Sequence, residues 1–369
     1  MNVPILDLGR IRRRIASQLD ERWQRILDQS SFILGPEVRE FEEAFAAYLG
    51  IEACVGLANG TDALILALRA LGLRPGDEVI VPAFSFFATA EAVALLGGQV
   101  VFCDVDAETL NLNPEDAAAR VTERTVGIIG VHLYGRPFDV DALLSLCERR
   151  GLWLLEDAAQ AHGARWQGKR VGGFGQLTAW SFYPTKNLGC FGDGGAVTGN
   201  DRELVERVRS LGNHGQTTRY HHASLGTNSR LDSLQAAVLN CRLALLDEDN
   251  ARRGEIACRY HGALAGVGDL RLLPDRSGVQ SVYHQFTVRT ARRDELMAHL
   301  KERGIASAVH YPSPLHHQPA MAGLTAARDG DLPVATAAAR EVLCLPVFPE
   351  LTNEELAAVA EAVRSFFGA

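Results

Sequence analysis

The 369-residue chain has no long uninterrupted hydrophobic run. A membrane-spanning helix needs roughly 18 apolar residues in a row, and no segment approaches that length. The N-terminal segment also lacks the apolar run and the small-residue cleavage site of a secretory signal. We therefore expect a cytoplasmic protein that has no membrane partner.

Clustered basic residues and paired cysteines are also missing. The formal net charge is −8, and no stripe or tail rich in Lys and Arg offers a surface for a phosphate backbone, so we expect no nucleic acid partner. The seven cysteines include no C-x-x-C pair, which argues against a zinc knot and against a disulfide framework. We expect most of them to be small buried residues, and we predict no metal site.

Hydrophobic sequence, in contrast, is plentiful. Hydrophobic residues make up 47% of the chain and charged residues 22%, which is enough to bury a large core. A chain of this length has room for two domains. We predict a large domain over residues 1–240, which includes N-terminal helices around 11–49, and a small domain over residues 241–369.

Short apolar runs alternate with helical patterns between residue 53 and about residue 200. The runs are rich in Val, Ile and Leu, and they predict buried parallel strands at Ala53–Ala58, Glu78–Ala83, Gln99–Val105, Thr125–His132 and Leu152–Ala158. Apolar residues three and four apart predict helices at Thr61–Leu71, Thr89–Leu96, Pro114–Val121 and Val140–Arg150. This order predicts an α/β fold with a mainly parallel sheet covered on both faces, whose ligand lies beyond the carboxyl ends of the strands.

The pattern changes after about residue 240. It predicts a long helix at Ser233–Arg252, a strand at Val282–Thr290, a helix at Arg293–Arg303 and a strand at Ala306–Tyr311. Two more helices are expected around the break at Leu345-Pro346. This mixture predicts a small α+β domain at the C-terminus.

The first candidate site residues are Gly60 and Thr61, which stand where a strand turns into a helix. Glycine lets the backbone approach a ligand closely, and the free N–H groups at a helix start favour an anion such as phosphate. A plain helix cap by Asn59 or Thr61 explains the same residues equally well.

An acidic pair, Glu156-Asp157, closes the fifth predicted strand. A carboxylate at the carboxyl end of a buried strand is placed to pair with a protonated ring nitrogen, and Asp157 is the better candidate. For Glu156 we favour an exposed or loop-bonded carboxylate. For His162, a few residues further on, we favour a core histidine that is satisfied by hydrogen bonds to the backbone.

A single lysine, Lys186, follows an apolar segment and is flanked by hydroxyl residues and glycines. A lysine in such surroundings can have a lowered pKa and form a Schiff base through its amine. A lone lysine is normally a solvated surface residue. The anion-binding turn, the aspartate 29 positions upstream (186 − 157) and the Ser181 hydroxyl favour the catalytic interpretation.

Together these residues resemble the DegT/DnrJ/EryC1/StrS sugar aminotransferases, and the resemblance is nearly full length. It rests on motifs in the same order along the chain: Pro4–Leu8, Asn59–Ala63, Glu156–Ala164, Ser181–Gly195, Gly226–Asp232 and His310–Pro312. The resemblance implies fold-type I architecture, as in aspartate aminotransferase, and pyridoxal 5'-phosphate (PLP) as the cofactor, with pyridoxamine 5'-phosphate formed during the reaction.

The resemblance also implies how the cofactor ring is held. Lys186 would bind PLP covalently, and Asp157 would pair with the protonated ring nitrogen. Phe86 would stack on the ring, and Gln160 would approach the ring hydroxyl.

The cofactor phosphate, by the same resemblance, would be held by the backbone of Gly60 and Thr61 and by the Ser181 hydroxyl. Asn228 would reach the phosphate from a second subunit. A homodimer is therefore expected, because each site would be incomplete in one chain.

The activity implied is transfer of the amino group of L-glutamate to a nucleotide-linked keto-sugar in amino-deoxysugar biosynthesis. The sequence most resembles family members that aminate C3 of a dTDP-3-keto-6-deoxyhexose. Relatives that act at C4 of dTDP- or UDP-4-keto sugars more often have histidine where Gln160 stands. The residues expected to contact the sugar nucleotide are Tyr183, Arg219, Tyr220, His310, Tyr311 and His316.

Two other interpretations remain open at this point. A PLP-dependent sugar dehydratase shares the scaffold, but such relatives carry histidine at the lysine position, and Lys186 speaks against this function. A cofactor-binding protein without catalytic activity is the third possibility. Every cofactor residue named above is present, and the chain offers no added DNA-binding segment.

Overall fold

The computed structural model describes residues 2–369, apart from the side chain of Asp329. Its strands are β1 Ala53–Leu57, β2 Glu78–Pro82, β3 Gln99–Cys103, β4 Thr125–Val131, β5 Trp153–Asp157, β6 Arg165–Trp166, β7 Lys169–Arg170, β8 Leu177–Ser181, β9 Gly195–Gly199, β10 Gln216–Thr218, β11 His221–His222, β12 Arg271–Leu272, β13 Val279–Gln280, β14 Phe286–Arg289 and β15 Val342–Leu345.

The α-helices are α1 Leu8–Gln29, α2 Pro36–Leu49, α3 Gly60–Leu71, α4 Ala88–Leu95, α5 Pro114–Arg120, α6 Val140–Arg150, α7 Arg202–Gly212, α8 Ser233–Leu243, α9 Leu246–Leu264, α10 Arg293–Glu302, α11 Pro333–Glu341 and α12 Asn353–Phe367. Short 3-10 turns lie at Leu133–Gly135, Leu315–His317, Pro319–Met321 and Asp329–Asp331.

The largest sheet has seven strands in the order β1-β9-β8-β5-β4-β2-β3. Its strands run parallel from β8 to β3, and β9 runs antiparallel to its neighbours β1 and β8. The five strands and four helices predicted between residues 53 and 158 are all present, with ends shifted by at most two residues. The predicted α/β fold with a mainly parallel sheet is confirmed.

Both faces of this sheet are covered. In β2, Val79 and Val81 belong to one hydrophobic cluster, whereas Ile80 belongs to another, and all three are fully buried. Successive side chains of a strand point to opposite faces, so each face of β2 packs against its own layer. Continuous runs of Val and Ile are the sequence pattern that such a doubly covered strand requires.

A smaller antiparallel sheet, β12-β14-β15, lies in the C-terminal third of the chain. A separate hydrophobic cluster joins it to α9, α10 and α12 through residues such as Tyr260, Leu296 and Val359. The mixture of antiparallel strands and helices agrees with the α+β character predicted there. The proposed division between residues 240 and 241 falls inside α8 and stays a prediction.

Three predicted elements of the C-terminal part were wrong in extent or kind. The helix predicted at Ser233–Arg252 is two helices, because α9 begins anew at Leu246 with three acidic residues in its first turn, where they favour a helix N-terminus. The strand predicted at Val282–Thr290 is confined to β14. The segment Ala306–Tyr311 is not a strand, since only Ala308 pairs with β15 before the chain turns into the cavity described below.

Candidate active site

The carboxyl ends of β2, β5 and β8 and the start of α3 enclose a cavity of about 570 Å³. Ligands bind at this edge of parallel sheets. The predicted site residues that line the cavity are Gly60, Thr61, Phe86, Asp157, Gln160, Ser181, Tyr183, Lys186, His310 and Tyr311. The structure therefore brings together most of the residues singled out in the sequence.

Asp157, the last residue of β5, presents a buried carboxylate to the cavity. One oxygen accepts a hydrogen bond from the Thr89 hydroxyl at 2.9 Å, and the other accepts from the Ala159 N–H at 3.2 Å. Burial raises the pKa of Asp157, although these bonds and the charge of Lys186 oppose the rise. A carboxylate in this position is stabilised by a cation in the cavity.

Lys186 lies in the loop between β8 and β9, and its partly buried side chain lines the same cavity. Burial lowers the pKa of its amine to about 8, against the opposing attraction of Asp157. A pKa near 8 leaves about one amine in ten neutral at pH 7, and the neutral amine is the nucleophile. The solvated-lysine interpretation does not hold for this residue.

Arg242 of α8 binds the backbone of the loop that carries Lys186. Its buried guanidinium donates to the carbonyl oxygens of Gly189 at 2.5 Å and Asn187 at 3.0 Å. The Lys186 N–H donates to the Tyr183 carbonyl at 2.8 Å. Hydrogen bonds therefore hold the backbone both before and after Lys186.

The start of α3 forms the opposite wall of the cavity. Asn59 caps the helix by accepting from the Asp62 N–H at 2.8 Å, so the cap considered in the sequence is real. The first residues of the helix, Gly60 and Thr61, still face the cavity. A methyl group on residue 60 would lie 2.6 Å from the Ser181 Cβ, which explains why glycine stands here.

The segment before Pro312 brings His310 and Tyr311 to the cavity. Gln160 donates to the Tyr311 hydroxyl at 3.1 Å and accepts from the Tyr134 N–H at 2.6 Å. The ring of Phe86, 56% exposed, lies 6.0 Å from the ring of Tyr311. Tyr311 therefore lies between the exposed ring of Phe86 and the Gln160 amide, whose orientation is fixed.

Four predicted residues do not line this cavity in a single chain. Asn228 is exposed and pairs with Asn213 in an isolated β-bridge. Tyr220 is 80% exposed, and Arg219 stacks over its ring at 5.1 Å. His316 packs near Phe102, with the ring centroids 6.2 Å apart.

The chain as a whole matches the model of the DegT/DnrJ/EryC1/StrS aminotransferase family over residues 13–364. The chain belongs to this family. It is 48% identical over 364 residues to the dTDP-3-amino-3,4,6-trideoxy-alpha-D-glucose transaminase of Streptomyces venezuelae, with 99% of this chain and 96% of that protein covered.

Solved structures agree with this membership of the aminotransferase family. The crystal structure of S. venezuelae DesV in complex with a ketimine intermediate superposes with a TM-score of 0.97 at 47% identity, covering 100% of this chain and 99% of that chain. NtdA from Bacillus subtilis with bound cofactor PMP gives 0.93 at 30% identity, covering 100% and 86%. The predicted family, fold and enzyme class are confirmed.

Aminotransferases of this family depend on PLP, and the cavity fits such a group. A buried carboxylate that needs a cation, Asp157, matches a protonated ring nitrogen. A helix N-terminus matches a phosphate, and the exposed face of Phe86 matches a flat ring. The amine of Lys186 lies among them.

Glu156 and His162 have structural roles. Glu156 is fully buried rather than exposed, and it is bonded to a loop: it accepts from the Phe174 N–H at 2.8 Å and from the Thr178 hydroxyl at 2.8 Å. His132 bonds its other oxygen at 3.1 Å. His162 is buried against Trp180, as expected of a core histidine, but among the described residues neither ring nitrogen has a backbone partner in good hydrogen-bond geometry.

Reasoning from the sequence missed Thr89, Ser85 and His284. The Ser85 and Thr89 hydroxyls lie 3.0 Å apart, four residues from each other near the start of α4, and this spacing was a usable signal. His284 lines the cavity beside β14, and its only signal was a polar side chain in register with the apolar positions Val282, Phe286 and Val288 of an alternating segment.

Two further observations concern metals and membranes. Over the described part of residues 2–369, no group of three or more His, Cys, Asp or Glu side chains is arranged to hold a metal ion. Within the same residues, no helix combines the length and the apolar character needed to cross a bilayer.

Proposed function

We propose that this family member is a PLP-dependent aminotransferase that moves the amino group of L-glutamate to C3 of a dTDP-3-keto-6-deoxyhexose. The observation that carries the proposal is that Lys186 and Asp157 face one cavity together with a helix N-terminus. A cytoplasmic location is part of the same proposal.

Asp157, Thr89 and Lys186 have different chemical roles in the proposed reaction. Bound PLP supplies an electron sink for the carbanion that forms when the C–H bond beside the amino group breaks. Asp157 provides the negative charge that keeps a ring nitrogen protonated, and Thr89 fixes that carboxylate. Lys186, with its lowered pKa, would hold the cofactor through Nζ, and the same nitrogen would take up and return the proton.

The phosphate and the ring are held by the walls of the cavity. The backbone of Gly60 and Thr61 and the Ser181 hydroxyl would bind the phosphate, and Phe86 would cover one face of the ring. Gln160 is already oriented by two hydrogen bonds, so its amide can meet a ring hydroxyl without rearranging. Together, Phe86, Gln160 and Asp157 would therefore hold the cofactor ring.

A second subunit completes the site in this proposal. Among the described residues that line the cavity, Lys186 is the only Lys or Arg, whereas a cofactor phosphate and a nucleotide diphosphate are both anionic. Asn228, Arg219 and Tyr220 lie on an exposed segment that a partner can bring to the cavity. Phe32, Ile33 and Leu34 are 42%, 48% and 41% exposed, and they offer an apolar surface for that contact.

Mixing two inactive variants tests the shared site. Lys186→Ala and Asn228→Ala each remove a different half of the site, so a mixed dimer would contain one intact site. After random exchange of subunits, we expect about a quarter of the wild-type activity. No recovery in proven mixed dimers would contradict the contribution of Asn228.

The activity itself is tested on purified protein. PLP should give a visible absorbance band that L-glutamate bleaches, and the bleached protein should aminate dTDP-3-keto-6-deoxyhexose. The product is identified by mass and NMR, with dTDP- and UDP-4-keto sugars offered in parallel. Amination at C4 alone would overturn the C3 assignment, and a protein that stays colourless after addition of PLP would overturn the whole proposal.

A further inference from the structure

His284 is a buried histidine that the proposed mechanism does not use. It stands two residues before β14, is 8% exposed, and lines the same cavity as Lys186. Burial lowers its pKa well below the ordinary value, and the nearby charge of Lys186 lowers it further. The ring is therefore neutral, with one nitrogen that donates and one that accepts.

The hydrogen bonds around Asn187 decide which nitrogen donates. The Asn187 amide nitrogen donates to the Val282 carbonyl and to the Asn250 side-chain oxygen, both at 2.9 Å. A backbone carbonyl can only accept, so this amide has one possible orientation. Asn250 is oriented in the same way, because its own amide nitrogen donates to the His162 carbonyl at 2.8 Å.

The Asn187 oxygen is thus the atom that faces His284 Nδ1, at 3.2 Å. An amide oxygen only accepts, so Nδ1 carries the hydrogen and Nε2 has a free lone pair. The described residues give His284 no hydrogen bond other than this one to Asn187. Nε2 is therefore an acceptor that cannot donate, on a side chain that lines the cavity.

The amine of Lys186 is the donor within the chain that suits this acceptor. Of the described residues that line the cavity, it is the only lysine or arginine, and its charge acts on His284. In the described structure the two side chains line one cavity without a hydrogen bond between them. We propose that His284 is a positioning residue: when the Lys186 side chain rotates, Nε2 accepts a hydrogen bond from Nζ and aims the free amine at its target. The inference rests on the proposed function, since the target is the carbonyl of PLP.

Two variants separate this role from a merely structural one. His284→Asn keeps a short amide that can donate to Asn187 but has nothing at the Nε2 position. His284→Gln reaches the Nε2 position with an acceptor oxygen. The measurement is the rate at which the full-length chain, freed of cofactor, captures PLP covalently, followed by visible absorbance.

We expect at least about a tenfold slower capture in His284→Asn, which is 1.4 kcal/mol in the barrier, and a rate within about threefold of wild type in His284→Gln. The reverse order would show that His284 only supports Asn187, and equal rates in all three proteins would also overturn the inference. In each case the wild type still captures PLP, whereas failure of the wild type would refute the proposed function itself.

A readout that needs no cofactor accompanies the rates. Nitrogen-15 NMR of the labelled chain should show His284 with hydrogen on Nδ1 and none on Nε2, and the assignment is made by the loss of that signal in His284→Gln. Hydrogen on Nε2 would contradict the inference directly. Thermal unfolding shows which of the two variants fold, and the wild-type signal can be assigned by its loss in either variant that folds.

Discussion

Replacing Asp157 by Asn is the most informative single change, because it removes a charge and leaves the shape. The carboxylate is 6% exposed and accepts from Thr89 and Ala159. An amide oxygen can keep one of these bonds, but it cannot balance a protonated ring nitrogen. Leaving one charge of a buried pair without its partner costs about 3–5 kcal/mol.

At roughly 1.4 kcal/mol per factor of ten, that cost corresponds to a loss of about two to three and a half orders of magnitude. We expect it in the rate at which L-glutamate bleaches PLP-loaded Asp157→Asn in single-turnover experiments. The matched control is Asp193→Asn, since Asp193 lines the same cavity but is exposed. A bleaching rate for Asp157→Asn within about threefold of the control would refute the assigned role.

Three further predictions follow from the same geometry. Gly60→Ala places a methyl group 2.6 Å from the Ser181 Cβ, and we expect weaker PLP binding in equilibrium titrations with unchanged secondary structure by circular dichroism. Because burial lowers the Lys186 pKa to about 8, covalent PLP capture by cofactor-free protein should rise with pH to a midpoint near 8; a midpoint at 10.5 would indicate a solvated amine. Glu156→Gln should lower the free energy of unfolding in urea by about 1.5–3 kcal/mol at pH 7, because a buried charged acceptor is lost. Burial alone would raise the Glu156 pKa, but the bond from His132 and the loop donors lower it below 4.5, so this contribution is complete above that pH and is lost as the pH falls further. A loss of stability that stays constant under acid conditions would contradict it.

The sheet was predictable because its strands are buried on both faces. Runs such as Val79-Ile80-Val81 have no polar positions to obscure them, and Gly, Pro or Asp ends each run. The helix starts were equally visible, since Asn59, Asn113 and Asp139 cap α3, α5 and α6 with their side chains.

Short elements held by tertiary contacts were not visible in the sequence. Ala306–Tyr311 has the composition of a strand, but only Ala308 reaches β15, and the chain then carries Tyr311 to Gln160. The break between α8 and α9 lies at Ala244-Leu245. Both residues favour helix, so helix propensity did not predict the break.

In the candidate site, too, some residues could be predicted from the sequence and others could not. Asp157 and Lys186 follow apolar strands, and their place at the strand ends follows from the topology of a parallel sheet. Thr89 and His284 matter because of what they contact, 68 residues away for Thr89 and 97 for His284. Such contacts exist only after the sheet has formed, and the local signals at these two residues do not say what they will contact.

Lys186 should be the residue that binds PLP, and the small number of lysines makes this assignment easy to test. The chain has only three lysines, and the other two, Lys169 and Lys301, are exposed. Borohydride reduction of the PLP-treated protein makes a lysine–PLP bond permanent, and peptide mass spectrometry then locates it. We predict one PLP per chain, on the peptide that contains Lys186. PLP found on Lys169 or Lys301, or on none of the three, would contradict the account.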